Sequence, residues 1–279
     1  MIQDIAPHKL NNQYDPAKQP ADDSIVLDIR NKSLLVRVLE EGFAFIKYSE
    51  FEKKPEVVHL FAVDDQDYFL VRGDVEKVPD ECAYMTIDRL RKEHLMEKYQ
   101  IFTAITAYQL SNWYEDNVYC GRCGSKTELS TVERAIRCPE CGRLIYPRII
   151  PAVIVGVTNG DKILMTKYAN RGINFYALIA GFTEIGETFE ETVEREVMEE
   201  VGLKVKNIRY YKSQPWGIVD DMLAGFYCDV DGDTSITLDT TELKKGVWVN
   251  REDVELQPDD YSLTNEMMLM FKEGKEPKA

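Results

Sequence analysis

The chain is poor in histidine, short of basic residues relative to its acids, and free of long apolar runs. Only three histidines occur among 279 residues, His8, His59 and His94. Chemistry later in the chain is therefore expected from carboxylates, hydroxyls or thiols rather than imidazole. The 34 Lys and Arg face 49 Asp and Glu, a formal net charge of −15, which argues against broad attraction to nucleic acid or to an anionic membrane. An anionic substrate then needs local positive charge, a helix terminus or bound cations to overcome that field. No stretch approaches the roughly 18 consecutive apolar residues of a membrane span. The opening MIQDIAPHKLNNQYDPAKQP also lacks a basic start followed by an apolar run, so a cytoplasmic protein without a membrane partner is expected. A G-x-x-x-x-G-K-[ST] phosphate loop and a G-x-S-x-G elbow are both missing, which removes P-loop and serine-elbow chemistry.

Cysteine is scarce as well, and its placement is uneven. Of six cysteines, four fall in CGRCG and CPECG. Cys120 and Cys123 form one C-x-x-C pair, and Cys138 and Cys141 form the other. Each pair can curl a knuckle around a tetrahedral ion, with the following glycine relieving the tight backbone, and four thiolates fit Zn²⁺ with no open position. The reading is a closed structural zinc site that stabilises a short, charged insert; a redox pair or disulfides are the alternative. Cys82 and Cys228 stand alone and read as ordinary core residues.

The length fits more than one domain. From Ser24 to Gly73 the segments SIVLDI, SLLVRVL, GFAFIKYS, VVHLFAV and DYFLVRG predict a small sheet. From Asp88 to Tyr114 the pattern turns helical. Residues 1–118 thus read as a sheet-and-helix α+β domain without a catalytic constellation, and residues 119–146 as the zinc insert. Residues 147–279 read as an α/β domain. In it PAVIVGVT, the turn Asn159-Gly160-Asp161 and KILMTKY make a hairpin; YALIAGF, a glutamate-rich helix, NIRYYK, MLAGFYCDV, GVWV and a helix near Leu263 to Phe271 follow.

The glutamate-rich segment GFTEIGETFEETVEREVMEEVGL, Gly181 to Leu203, carries eight glutamates. Thr188 and Glu191 have the form of a capping box, so a helix is expected to begin at Glu187 or Thr188 and to exit at Gly202. At about 100° per residue, Phe189, Val193 and Val197 share one side, while Glu187, Glu190, Glu191 and Glu194 point to solvent. Glu196 and Glu200, four apart, lie against the apolar stripe with Glu199 beside them. Like charges at that spacing repel, and partial burial raises the cost. A hard cation such as Mg²⁺ or Mn²⁺ would relieve both penalties. An acidic, solvated helix face is the alternative.

Gly181, five residues, Glu187, seven residues, then Arg195-Glu196-Val197-Met198-Glu199-Glu200-Val201-Gly202-Leu203 resembles the full Nudix hydrolase signature. Downstream, Ser213-Gln214-Pro215-Trp216 followed by Met222-Leu223-Ala224-Gly225-Phe226 is similar to the array that marks NADH pyrophosphatases, also called NAD⁺ diphosphatases. The preceding cysteine insert and Tyr146-Pro147 resemble the same family. The family usually carries a proline and a phenylalanine after that tryptophan. Here Gly217-Ile218-Val219-Asp220-Asp221 removes an aromatic and adds two acids.

The resemblance implies a Nudix α/β/α sandwich behind the zinc ribbon and the N-terminal domain. It implies Mg²⁺- or Mn²⁺-dependent hydrolysis of NADH or NAD⁺ to AMP and nicotinamide mononucleotide, with NAD-cap removal from RNA as a further activity, and a homodimer. It also assigns roles. Glu196, Glu199, Glu200 and Glu242 bind the catalytic metal; with that set, Arg195 is read as holding the glutamates, Glu187 as supporting the loop or the metal shell, and Glu200 is our choice to position or deprotonate the attacking water. Tyr146, Phe182, Gln214, Trp216 and Thr264 are its implied substrate contacts. An ADP-ribose or other nucleoside-diphosphate-X hydrolase is one rival reading, and a zinc-ribbon binding module with a degenerate Nudix domain is another.

Overall fold

The structure is a computed structural model that describes residues 1–169, 172 and 174–279. The chain divides into two compact units: Ile2–Arg148 with Gly217–Val219, and Met1 with Ile149–Trp216 and Asp220–Ala279.

The first unit opens with nine strands: β1 (Leu10–Asn11), β2 (Ile25–Leu27), β3 (Ile29–Arg30), β4 (Ser33–Val38), β5 (Phe43–Ala44), β6 (Ile46–Lys47), β7 (Val57–Val63), β8 (Gln66–Val71) and β9 (Cys82–Thr86). Two helices follow, α1 (Ile87–Lys92) and α2 (Lys98–Asp116). The expected single sheet is in fact two. One has the order β1-β7-β8-β2-β6; in the other, β4 pairs with β3, β5 and β9. The chain changes sheets between Leu27 and Ile29, where Leu35 N–H bonds the Asp28 carbonyl at 2.8 Å. Strand β9 was not expected from the sequence, because CAYMT carries partly exposed residues without a clear alternation.

The helix expected over Asp88 to Tyr114 is likewise two. His94 adopts φ +51°, and the Leu95 carbonyl accepts from Phe43 N–H at 3.1 Å, which turns the backbone out of helical geometry. Helix α2 restarts with a capping box between Glu97 and Gln100 and buries Ile101, Phe102, Ile105, Ala107, Tyr108 and Trp113. Cys82 is half-buried rather than a core residue, whereas Cys228 is buried. The cysteine insert adds a small sheet of β10 (Glu128–Leu129), β11 (Ile136–Arg137) and β12 (Leu144–Ile145). Arg134, between β10 and β11, donates to Leu60 O at 2.6 Å and to Asn12 Oδ1 at 3.0 Å, and it lies over the Tyr14 ring. The insert is thereby tied to the N-terminal sheet.

The second unit is a mixed sheet of β13 (Ile150–Asn159), β14 (Lys162–Tyr168), β15 (Ile179–Phe182), β16 (Val205–Trp216), β17 (Asp221–Val230) and β18 (Leu243–Asn250). Its order is β16-β17-β13-β14-β18, with β15 on β13. The hairpin around Gly160 forms as the sequence predicts. Central strand β13 runs parallel to β17 from Ile150↔Asp221 to Thr158↔Asp229, and its VIV run suits a strand covered on both faces. Alternation divides its residues. Val153, Val155 and Val157 meet Val193, Val197 and Val201 of α3 (Phe189–Val201) on one face. Ile154, Leu178 and Tyr227 meet Met267, Met268 and Phe271 of α4 (Leu263–Lys272) on the other. Full burial of each such side chain stabilises by about 1.5–3 kcal/mol. Among the described residues, no helix is long and apolar enough to cross a membrane.

Candidate active site and the cysteine cluster

Helix α3 is built as its sequence dictates. Thr188 accepts from Glu191 N–H at 3.2 Å, and Glu191 accepts from Thr188 N–H at 2.8 Å. Gly202 ends the helix at φ +70°, a conformation that favours glycine. The valine stripe fixes the helix rotation, so the polar edge of α3 faces the end of β15.

Arg195 is the hub of that edge. Its Nε and Nη2 donate to the two oxygens of Glu187 at 2.6 and 2.9 Å. Its Nη1 donates to Glu196 at 2.7 Å and to Glu199 at 3.1 Å. Its remaining Nη2 hydrogen goes to the Phe182 carbonyl at 2.8 Å. All five guanidinium N–H groups are engaged. Glu187 therefore does not point to solvent as helical periodicity predicts: it precedes the helix, and the loop before Thr188 folds it back onto Arg195. The Arg195 hydrogen bond, with others from Glu184 N–H and Thr192, holds its carboxyl at about 2.

Glu196 shows the opposite tendency. Burial pushes its carboxyl up despite Arg195, and the charges of Glu199 and Glu242 add to the effect. The Glu196 carboxyl lies against the backbone of Gly181, where any Cβ would overlap it. Glu200 is buried at 3 % exposure, whereas Glu199 is 61 % exposed at its side chain. Glu242 sits in the turn before β18 and is exposed. The structure thus brings Glu187, Arg195, Glu196 and Glu199 into one bonded group, with Glu242 within electrostatic reach of Glu196. Among the described residues, the glutamates do not draw three ligand atoms within 4.8 Å of one another; the four cysteines do. A set of carboxylates that repel one another, with Glu200 buried and Glu196 partly so, nonetheless fits a hard divalent cation, which favours several oxygens.

Strand register gathers several of the implied substrate residues. Ala152 pairs with Phe182 on one side and with Leu223 on the other, and Leu223 pairs with Gln214. Trp216 pairs with Asp221. Paired residues share a face, and this is the face that α4 covers. Phe182 is 51 % exposed there. Thr264, half-buried, is the second residue of α4. Gln214 is fully buried, its amide donating to Tyr261 O and accepting from Leu263 N–H, both at 2.7 Å. It braces the entry to α4. Tyr146 belongs to the first unit, exposed, with its hydroxyl donating to Glu133 at 3.0 Å.

The cysteines form two equivalent knuckles. Gly124 N–H bonds Cys120 O at 2.8 Å, and Gly142 N–H bonds Cys138 O at 3.0 Å, with both glycines at positive φ. The Sγ atoms of Cys120 and Cys141 lie 3.6 Å apart, and those of Cys123 and Cys138 3.4 Å. These spacings are close to the ~3.8 Å edge of a zinc–thiolate tetrahedron with bonds of about 2.3 Å. Backbone N–H groups of Arg122 and Cys123 lower the Cys120 thiol, whereas burial and the neighbouring thiols raise Cys141, so ionisation of the cluster begins at Cys120. The four cysteines are a zinc-ribbon cluster.

Comparison with known proteins converges on these two centres. The model of the NADH pyrophosphatase zinc ribbon domain matches residues 115–146, and that of the NUDIX domain matches residues 148–268. The chain is 38 % identical over 187 residues to the NAD-capped RNA hydrolase NudC of Actinobacillus succinogenes, covering 64 % of this chain and 68 % of that protein. The chain belongs to the zinc-ribbon-bearing NADH pyrophosphatase family of Nudix hydrolases. The enzyme of the same name from Enterobacter sp. (strain 638) is 40 % identical over 151 residues, 54 % of this chain and 58 % of that one. That of Haemophilus influenzae (strain PittGG) is 35 % identical over 178 residues, 62 % and 65 % respectively. The matches thus span between somewhat more than half and about two thirds of these relatives.

Three features of this unit were not read from the sequence. The first is the return of Glu187 to Arg195, for which the helical wheel carries no signal because Glu187 lies outside the helix. The second is the Phe182 carbonyl as an Arg195 acceptor, a backbone group that no motif names. The third is the burial of Asp221, which the acidic composition of its segment argues against.

Proposed function

We propose that this Nudix family member hydrolyses the pyrophosphate of NADH or NAD⁺, with water adding across one P–O–P bond to give AMP and nicotinamide mononucleotide. The observation that carries the reading is the five-bond Arg195 hub, which orders Glu187, Glu196 and Glu199 beneath the end of β15, in a chain that also holds the zinc ribbon. Glu196, Glu199, Glu200 and Glu242 would hold Mg²⁺ or Mn²⁺, which when bound offsets the charge of the diphosphate and makes water a better nucleophile. Glu200, enclosed on the same helix edge as Glu196, is the group we assign to position that water and take its proton. Arg195 keeps Glu196 and Glu199 oriented through charge-assisted bonds, and Glu187 fixes Arg195 in turn. Phe182 stacks the nucleobase, and Trp216 and Thr264 face the dinucleotide from β16 and α4. Gln214 acts on the substrate face by bracing α4. Tyr146 is assigned to the nucleotide as well.

The domain reading that goes with this is an N-terminal domain over 1–118, the zinc ribbon over 119–146 and the Nudix domain over 147–279, the last an α/β/α sandwich with α3 and α4 on opposite faces. A cytoplasmic homodimer is part of the proposal. It gains no support from the apolar segment NEMMLMF, since Met267, Met268 and Phe271 are buried in this chain's own core. NAD-capped RNA is proposed as a further substrate on the strength of the relatives' activity; the net charge of −15 predicts little gain in affinity from RNA length. Product-resolved hydrolysis of NADH, NAD⁺, ADP-ribose and diadenosine substrates with Mg²⁺ or Mn²⁺ tests the reading. AMP and the mononucleotide should dominate. Faster turnover of ADP-ribose would transfer the assignment to that substrate, and no turnover of any member would leave a degenerate domain.

A further inference from the structure

Asp221 is the first residue of β17, and its neighbours in the sheet are Ile150 of β13 and Trp216 of β16. Only 8 % of it is exposed, and its Oδ1 is enclosed with no hydrogen-bond partner. An enclosed carboxylate oxygen without a donor costs about 1–3 kcal/mol or more, so its retention asks what donor or cation completes it. The charge bearing on it is not compensating: Asp220, its neighbour, is also an acid. Burial first, then Asp220, raise the carboxyl to about 6; it is therefore mainly ionised at pH 7.5.

Strand register places Asp221 relative to Phe182. Register along β17 puts Asp221 and Leu223 on one face, and Leu223, Ala152 and Phe182 lie in one row across three strands. Asp221 is two strands and two residues from Phe182. By strand spacing the two backbones are then about 12 Å apart on a common face, a separation that an extended dinucleotide bridges. With the nucleobase of the AMP half assigned to Phe182, an extended substrate laid along this face would bring its opposite end toward Trp216 and Asp221. That end is the nicotinamide ring, which carries a positive charge in the oxidised dinucleotide and none in the reduced one.

We propose that Asp221 is a specificity-determining residue whose carboxylate meets the nicotinamide end of the substrate and favours the cationic, oxidised ring over the neutral, reduced one. This rests on the dinucleotide hydrolase reading given above. Asp220 adds to the same negative field, and the Trp216 ring supplies a face that attracts a cation. Both act in a sheltered setting where charge pairs are stronger than in water.

The test is the ratio of kcat/KM for NAD⁺ to that for NADH at pH 7.5 with saturating Mn²⁺, in the wild type, Asp221→Asn and Asp221→Ser. Asn keeps the shape without the charge, and Ser is the fallback should the amide disturb folding. The ratio should fall about tenfold in either folded variant, through a larger loss on NAD⁺ than on NADH. An unchanged ratio, or an equal loss on both substrates, overturns the proposal. Product inhibition of the wild type gives a test free of variants: the oxidised mononucleotide should inhibit about tenfold more tightly than its reduced form, and equal constants overturn the proposal. A wild type that hydrolyses neither dinucleotide overturns the underlying reading, a result distinct from active hydrolysis without charge discrimination.

Discussion

The carboxyl of Glu196 occupies the space that a Cβ on Gly181 would fill. The glycine at the head of the signature is therefore a steric requirement set by a glutamate 15 positions later, delivered by α3 packing against β15. A side chain at 181 must displace either the carboxylate or the helix.

Gly181→Ala should consequently lower kcat by about two orders of magnitude, as expected for loss of a major metal or acid–base contact. The helix remains anchored by Val193, Val197 and Val201, so the variant should fold. Steady-state NADH hydrolysis beside a thermal melt checks both halves. A variant with wild-type kcat would show that the Glu196 position is not needed for turnover.

Glu200→Gln removes charge and proton-accepting capacity while keeping shape. Its effect should fall on the chemical step, about a hundredfold or more in kcat, with folding retained. Glu194→Gln on the exposed side of the same helix is the matched control and should cost little. Equal small effects would remove Glu200 from the mechanism; a large defect at Glu194 would reverse the assignment of the helix faces.

Cys138→Ser should release zinc and lower the melting temperature by many degrees, because a closed tetrathiolate site contributes folding energy directly. The Arg134 contacts to Leu60 and Asn12 should carry the loss into the N-terminal sheet, read as increased amide exchange along β7. Zinc retained at one equivalent with an unchanged melt would refute the structural role.

The Arg209–Asp229 pair predicts a pH dependence of stability. Burial alone would raise the Asp229 carboxyl, but hydrogen bonds from Arg209, Asn207 and Thr158 outweigh it and hold the group at about 2. A depressed folded-state value means that the stabilisation is complete above the unfolded value near 4. It is lost as pH falls through about 2. After discounting for solvent screening it amounts to about 1–2 kcal/mol. Asp229→Asn should therefore be less stable than wild type at pH 7, and the difference should shrink toward pH 2. A constant difference across that range would contradict the assignment.

Much of the site was legible before the structure because its motifs are local. Thr188 with Glu191, Gly202 at the exit, and the valines at every fourth position follow from helix geometry alone. The C-x-x-C pairs follow from the span of one knuckle. Arg195, Glu196 and Glu199 could be grouped because they lie one helical turn apart or less. The helix break at His94 could not be read, since it depends on a bond between the Leu95 carbonyl and Phe43, which are distant in sequence. The division of the N-terminal strands into two sheets was hidden for the same reason.

The sequence by itself determined the chemistry available: four thiolates at knuckle spacing, and carboxylates in place of imidazoles on a helix with one apolar side. These rest on short-range geometry, which is nearly independent of the rest of the chain. Only the tertiary structure decided which groups meet. It turned Glu187 back onto Arg195, seated Glu196 over Gly181, used Gln214 to brace α4, and enclosed Asp221 on the face that carries Phe182. Each of these depends on strand register or on helix-to-sheet packing, and those are fixed by burial of the whole apolar core rather than by any local pattern of residues.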